Sequence, residues 1–324
     1  MKAIVLDETA AAVPAKLESV PCPTHGPAEL LVRVRFAGIN RADLTRRRLP
    51  GHVSQAFDIN GGEMAGEVVA CGAGCTNFSI GDRVMALTYR SHAEFVTVDH
   101  RLAVLIPAGI ETSTAASLPG WFMTAHNAVM TEGALKPGET VLVRGATAGV
   151  GIAAARIARH FGAARVIGVD RSQDKLARRL GAGLDDMILA EAGWPDRVRT
   201  LTSGRGVDLI IDLVGGGALA GNLEAAAIGG RLLAVGRLGG QSDQLDINML
   251  ALKRLRLIGV TFRSRTVEEK AAIARAFSAE VLPAIVAGQI SPLIDRVFPL
   301  NEANDAYEYV RGNTHLGKVL LEVE

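Results

Sequence analysis

Apolar residues change their spacing along this chain near residue 118, and the change separates two regions of different character. Before it, short apolar runs are punctuated by turns: residues 2–5, 29–39, 63–72, 81–87, 93–98 and 102–107. In Leu31-Val32-Arg33-Val34-Arg35-Phe36 the arginines fall on one face of an extended strand and Val32, Val34 and Phe36 on the other. Gly81-Asp82-Arg83 and Pro107-Ala108-Gly109 are turn signals. The first region therefore reads as all-β. Beyond it, β-branched runs at 141–144, 165–169, 187–189, 207–214, 231–236 and 255–261 alternate with helical patterns at Gln173–Leu180, Pro195–Ser203, Ala218–Ala227 and Ile247–Arg254. Six strands with crossover helices predict a doubly wound parallel sheet. A long helix over Val267–Ala287, a strand at 295–300, a helix over Ala303–Arg311 and a strand at 317–323 close the chain. The closing segment is expected to return to the first region, which places the active site in a cleft between two domains. The expected boundaries are 1–118 with 262–324, and 119–261.

The stretch Glu139 to Asp170 carries the strongest chemistry. Val141-Leu142-Val143 breaks at Gly145, passes through Ala146, Thr147, Ala148, Gly149, Val150 and Gly151, and continues as a helix pattern to Phe161. A second apolar run ends on Asp170. A turn this poor in side-chain bulk lets backbone N–H groups and the positive end of the following helix approach a pyrophosphate. A carboxylate about 20 residues further on is placed to accept from ribose hydroxyls. The strict glycine fingerprint is not met, because Ala146 and Ala148 stand at its first two glycine positions.

With 324 residues, 48% hydrophobic and 21% charged, the chain has globular composition and the length of two domains. Lys and Arg number 35 against 34 Asp and Glu. This near-neutral balance argues against nucleic acid or an acidic membrane as a partner. The one basic cluster, Arg46-Arg47-Arg48, reads as a solvated face. Three cysteines, Cys22, Cys71 and Cys75, offer no disulfide framework, which suits a reducing compartment. Cys71 and Cys75 make at most half a metal site. Thr112–Thr131 is uncharged and approaches the ~20 residues a bilayer needs, but Pro119, Gly120, His126 and Asn127 mark it as a buried lead-in to the second domain. Cytoplasmic localisation is the simplest expectation.

The segments at 37–48, 81–87, 124–129, 145–151, 212–216 and 315–323, in that order, resemble the medium-chain dehydrogenase/reductase superfamily, and within it the zinc-independent, zeta-crystallin-like quinone oxidoreductases. The resemblance implies an α/β fold: a GroES-like β-rich catalytic domain plus a Rossmann doubly wound six-stranded parallel sheet. Zinc members place a cysteine where this chain has Asn40 and a histidine-glutamate pair where it has Gly62-Glu63. Catalytic zinc needs three Cys, His or carboxylate ligands, so no zinc is expected. Hydride transfer to an already electrophilic acceptor, a quinone or an enone, is the chemistry that remains.

By resemblance, Asn40 and Asp43 line the acceptor side and Thr124 lies near the nicotinamide. Tyr89 and His92 are candidates from their residue types for bonding an acceptor oxygen. A plainer reading makes Asp43 a helix cap and His92 a surface loop residue. Leu213, Val214 and Gly215, and Val235, Gly236 and Arg237, follow strands and fall where a cofactor binds. The resemblance adds Phe262, Gly317 and Lys318 over the nicotinamide half. Asp170 would repel a 2′-phosphate and so favours NADH, whereas Arg171 and Lys175 could bind the phosphate of NADPH. A homodimer paired through 255–261 is implied. Reduction of enones or enoyl thioesters, and a non-enzymatic structural or RNA-associated role, are the alternatives.

Overall fold

A computed structural model describes residues 1–6, 15–44, 58–177 and 183–324. The Arg46-Arg47-Arg48 cluster and most of the 46–60 loop lie outside them. The chain divides into two compact units, one of Met1–Gly120, Thr266–Val286 and Ser291–Glu324, the other of Trp121–Arg265 and Ala287–Ile290.

In the first unit, β1 (Lys2–Leu6) and β2 (Ala15–Ser19) form a hairpin. β3 (Glu29–Ile39), β4 (Glu63–Cys71), β5 (Arg83–Leu87), β6 (Phe95–Asp99) and β7 (Ala103–Leu105) follow. The alternation read in β3 holds: Leu30, Val32 and Val34 are buried while Arg33 and Arg35 are exposed. Their apolar face packs with Met64, Val68, Val84, Val96 and Tyr307 into one core.

The second unit holds β8 (Thr140–Arg144), β9 (Arg165–Asp170), β10 (Asp186–Leu189), β11 (Val207–Asp212), β12 (Ala226–Ala234) and β13 (Arg256–Gly259). They pair in parallel in the order β10-β9-β8-β11-β12-β13. All five residues of β8 are buried, as expected for a strand covered on both faces. The order reverses between β8 and β11, and ligands of such sheets bind outside the carboxyl ends at that point. Helix α1 (Gly149–His160) leaves β8, buries Ile152, Ala153, Ala154, Ala155 and Ile157, and stops at Gly162, whose φ of 89° an L-residue with a side chain rarely adopts. Helix α2 (Gln173–Ala177), α3 (Trp194–Leu201), α4 (Leu219–Ala225) and α5 (Ile247–Leu252) supply the later crossovers.

The predicted long helix is two: α6 (Val267–Glu280), opened by a Thr266–Glu269 capping box, and α7 (Leu282–Val286). Pro283 explains the break, since its ring has no N–H to continue the earlier turn but suits the first turn of a new helix. After β14 (Ile294–Pro299) and α8 (Ala303–Arg311), β15 (Lys318–Glu322) pairs antiparallel with β3, Val319 opposite Ile39. The closing segment does return to the first unit.

Candidate active site

The turn after β8 shows why its residues are small. A Cβ on Gly149 would stand 1.8 Å from the Trp121 ring, and one on Gly151 would stand 2.4 Å from the Gly145 carbonyl. Gly145 itself has φ of 77°. Ala148 is the N-cap of α1 and offers no side chain to the first-turn N–H groups. A side-chain-free cradle at an uncapped twelve-residue helix fits a pyrophosphate. Ala146 is buried, Val150 is half-buried, and Thr147 gives both its N–H and its hydroxyl to Asp170 Oδ2, at 3.0 and 2.7 Å.

Asp170 therefore has a role the sequence did not show. Its Oδ1 accepts from Arg171 N and Ser172 N, at 2.8 and 3.3 Å, so four protein donors fix the carboxylate at the tip of β9. It braces the turn as well as charging it. Arg171 is exposed, whereas Lys175 is buried on α2 with its N–H on Ser172 Oγ.

Asp212, at the end of β11, joins the two loops carrying the other cofactor candidates. Its Oδ1 accepts from Val214 N and Gly215 N at 2.8 and 3.2 Å, and its carbonyl oxygen accepts from Val235 N and Gly236 N. Leu213 is buried, and a Cβ on Gly236 would strike its carbonyl at 2.2 Å. Burial pushes the Asp212 carboxyl up; the Val214 and Gly215 N–H groups and the Arg144 guanidinium pull it back. Arg144, the last residue of β8, lies 4.5 Å over the Trp194 ring. Its Nε and Nη1 are buried without a hydrogen-bond partner, and burial lowers its pKa. Neither residue was among the sequence candidates, although a charge ending an apolar strand at the carboxyl edge is a readable signal. Thr124 is half-buried in a helical stretch wound partly as π-helix, Arg237 is exposed, and Phe262 is half-buried.

In the first unit, the β3–β4 and β3–β15 registers gather Asn40, Glu63 and Lys318. Lys318 and Glu63 are both fully buried and form an ion pair. Lys318 Nζ donates to Asn40 Oδ1 at 2.8 Å, Asn40 Nδ2 donates to Glu63 Oε1 at 2.6 Å, and Gly120 N donates to Glu63 Oε2 at 2.6 Å. Gly38 permits the meeting, since its Cβ would stand 2.5 Å from Glu63 Oε1. Asp43 Oδ2 accepts from Asn40 N at 2.7 Å, in keeping with the capping role weighed for it. The lysine is committed to Glu63 and Asn40, and Gly317 packs against the Leu293 carbonyl.

His92 is not the surface loop residue of the plainer reading. It is fully buried, with Nδ1 2.6 Å from Tyr307 Oη and Nε2 3.3 Å from the Gly38 carbonyl, so both ring nitrogens are engaged inside the core. Tyr89 is 41% exposed and lines a cavity of about 450 Å³ with Met1, Cys22, Arg90 and Phe95. Among the described residues no group of three His, Cys, Asp or Glu side chains could hold a metal ion. No described helix is long and apolar enough to cross a membrane.

A mixed β unit interleaved in sequence with a six-stranded parallel sheet, bearing a bare glycine turn, defines a nucleotide-binding oxidoreductase of the dehydrogenase class. Residues 26–108 match the alcohol dehydrogenase GroES-like domain and 149–278 the family described as zinc-binding dehydrogenase. Quinone oxidoreductase-like protein 2 of Bos taurus is 31% identical over 312 residues, covering 95% of this chain and 88% of that protein. A mycobacterial protein solved in complex with NADPH superposes with a TM-score of 0.86 at 28% identity, covering 99% of this chain and all of its own. Highly reducing polyketide synthase cm3B of Cordyceps militaris is 28% identical over 96% of this chain, a segment amounting to 13% of the synthase. The chain belongs to the zinc-independent quinone oxidoreductase branch of the medium-chain dehydrogenase/reductase superfamily.

Proposed function

We propose that this protein is an NAD(P)H-dependent, zinc-independent quinone oxidoreductase. One observation carries the reading. Where zinc relatives carry ligands, this chain places Asn40 and Gly62 beside a buried Glu63–Lys318 pair, so the acceptor must be reducible without a Lewis acid. The reduced nicotinamide supplies a hydride, which with one solvent proton turns a quinone into its hydroquinone. The chain's part is to bind, to orient and to place polar groups. The Gly145–Gly151 turn holds the pyrophosphate, and the loops tied by Asp212 line the rest of the nucleotide.

NADH is the preferred cofactor in this reading. Asp170 is held by four donors and cannot turn aside, so its charge opposes a 2′-phosphate; Arg171 is the exposed cation that could counter it. The second acceptor class is an enone or enoyl thioester, supported by the match to a polyketide synthase segment. The working form is a homodimer joined through β13, an edge strand whose Leu257 is exposed and which follows α5, whose Ile247 and Leu252 are 71% and 70% exposed. A solution mass of one 34.0 kDa chain would refute the dimer.

The test is steady-state oxidation of NADH and NADPH by chelator-treated protein against 1,2- and 1,4-quinones, enones and an enoyl thioester. Turnover with quinones that survives chelation supports the reading. Turnover only with enones or the thioester moves the second acceptor class ahead, and none with any acceptor favours a non-enzymatic role.

A further inference from the structure

Arg144 is costly to bury in the way this fold buries it. It ends β8 on the face whose core holds Leu142, Ile167, Val169 and Ile210, and only 6% of it is exposed. Its Nε and Nη1 have no hydrogen-bond partner, and the guanidinium lies 4.5 Å over the Trp194 ring. A charge buried without hydrogen bonds lowers stability. Strand register places Asp212 beside it. Arg144 stands opposite Asp212 on β11, as Leu142 stands opposite Ile210, and its carbonyl oxygen accepts from Leu213 N. Side chains in register on neighbouring strands share a face, so guanidinium and carboxylate sit above one apolar core.

Asp212 has a use for that charge. Its Oδ1 accepts from Val214 N and Gly215 N, and its Oδ2 is 3.3 Å from Gly215 N, so a proton on either oxygen would face a donor. Burial favours that proton; the Val214 and Gly215 N–H groups, Arg144 and Asn222 oppose it, and Arg144 is the cation among them. Of the other neighbours, Asn222 on α4 is fully buried and neutral, β12 places Ala234 opposite Asp212, and α3 supplies Trp194. Across β8, the Asp170 carboxylate also acts on Arg144. The loop that Asp212 holds supports the next one, because the Leu213 and Val214 carbonyl oxygens accept from Leu238 N and Gly239 N. We infer that Arg144 is a positioning residue for nucleotide binding: its charge keeps Asp212 an acceptor, and Asp212 thereby holds the loops after β11 and β12 in their binding shape. This rests on the nicotinamide cofactor of the proposed reading.

Three variants test this, each followed by NADH affinity from nicotinamide fluorescence across a pH series, and by thermal melting. Arg144→Met exchanges an unbonded buried charge for an apolar chain over Trp194, so it should melt no lower than the parent. Protonation of Asp212 weakens NADH binding on acidification, and without the guanidinium that fall should begin about one pH unit higher. Arg144→Lys keeps the charge and should restore the parent profile. Asp212→Asn turns an amide towards the loop N–H groups; it should bind NADH about 10-fold more weakly, with no acid fall of its own. An Arg144→Met variant that keeps the parent's affinity and pH profile overturns the inference. So does one that loses affinity equally at every pH without rescue by lysine, which is the mark of a packing role. If Arg144→Met fails to fold, Asp212→Asn decides, and an acid fall that persists in it counts against the inference. A parent that binds NADH but reduces no quinone defeats the functional reading alone, and a parent that binds neither NADH nor NADPH defeats both.

Discussion

At the amino end of the six-stranded sheet, Glu139 pairs with Arg231, Asp186 with Arg165, and Asp208 with Arg205 and Thr140 N. At the carboxyl end of the same strands, Asp212 is answered by loop N–H groups and Arg144 keeps two buried N–H groups unbonded over Trp194. The titration directions differ accordingly. Burial pushes Glu139 and Asp208 up, but the guanidinium groups of Arg231 and Arg205 outweigh it and both end low. For Asp212 burial wins. One edge pairs carboxylates with guanidinium groups, with Arg231 Nε left buried and unbonded, whereas the other answers Asp212 with loop N–H groups and leaves two Arg144 nitrogens unbonded.

The largest break in this contrast is expected from Gly149→Ala. Its Cβ would overlap the Trp121 ring, so the turn must move, with a stability loss of about 3 kcal/mol and NADH affinity down about 100-fold by fluorescence titration. Arg231→Ala at the opposite edge should cost about 2 kcal/mol by urea unfolding, less than a fully buried pair because Glu139 keeps some water. NADH affinity should not change, and a loss there would blur the distinction between the edges. Asp170→Ser should shift kcat/KM towards NADPH about 10-fold; a parallel fall with both cofactors would show that bracing Thr147 outweighs charge.

The smallest effect concerns pH. Glu139 and Asp208 lie low in the folded protein, so their stabilisation is complete above the unfolded carboxylate range near ~4 and is lost as pH falls through their folded values. Asp212 lies high, so its ionised form subtracts stability, and that penalty is relieved on acidification. Glu139→Gln should flatten the fall in urea midpoint on acidification, and Asp212→Asn should steepen it.

Much of the site was legible where chemistry and spacing are local. The glycine turn, Asp170 and the post-strand loops follow from strand, turn and helix patterns within a few tens of residues. The surroundings of His92 and Lys318 were not legible for a common reason: a residue type announces what it can bond, not whether the core has already bonded it. His92 is spent on Tyr307, 215 positions away, and Lys318 on Asn40, 278 positions away.

By itself the sequence determined the alternation of β3, the buried parallel strands, the bare turn after β8 and the absence of zinc ligands at Asn40 and Gly62, because each is a property of neighbouring residues and their periodicity. Tertiary structure alone decided that Val319 lies opposite Ile39, that Lys318 therefore meets Glu63 over Gly38, and that Asp170 closes on Thr147. Those are consequences of strand register and side-chain packing, and a one-residue slip of β15 against β3 would turn Lys318 to the other face.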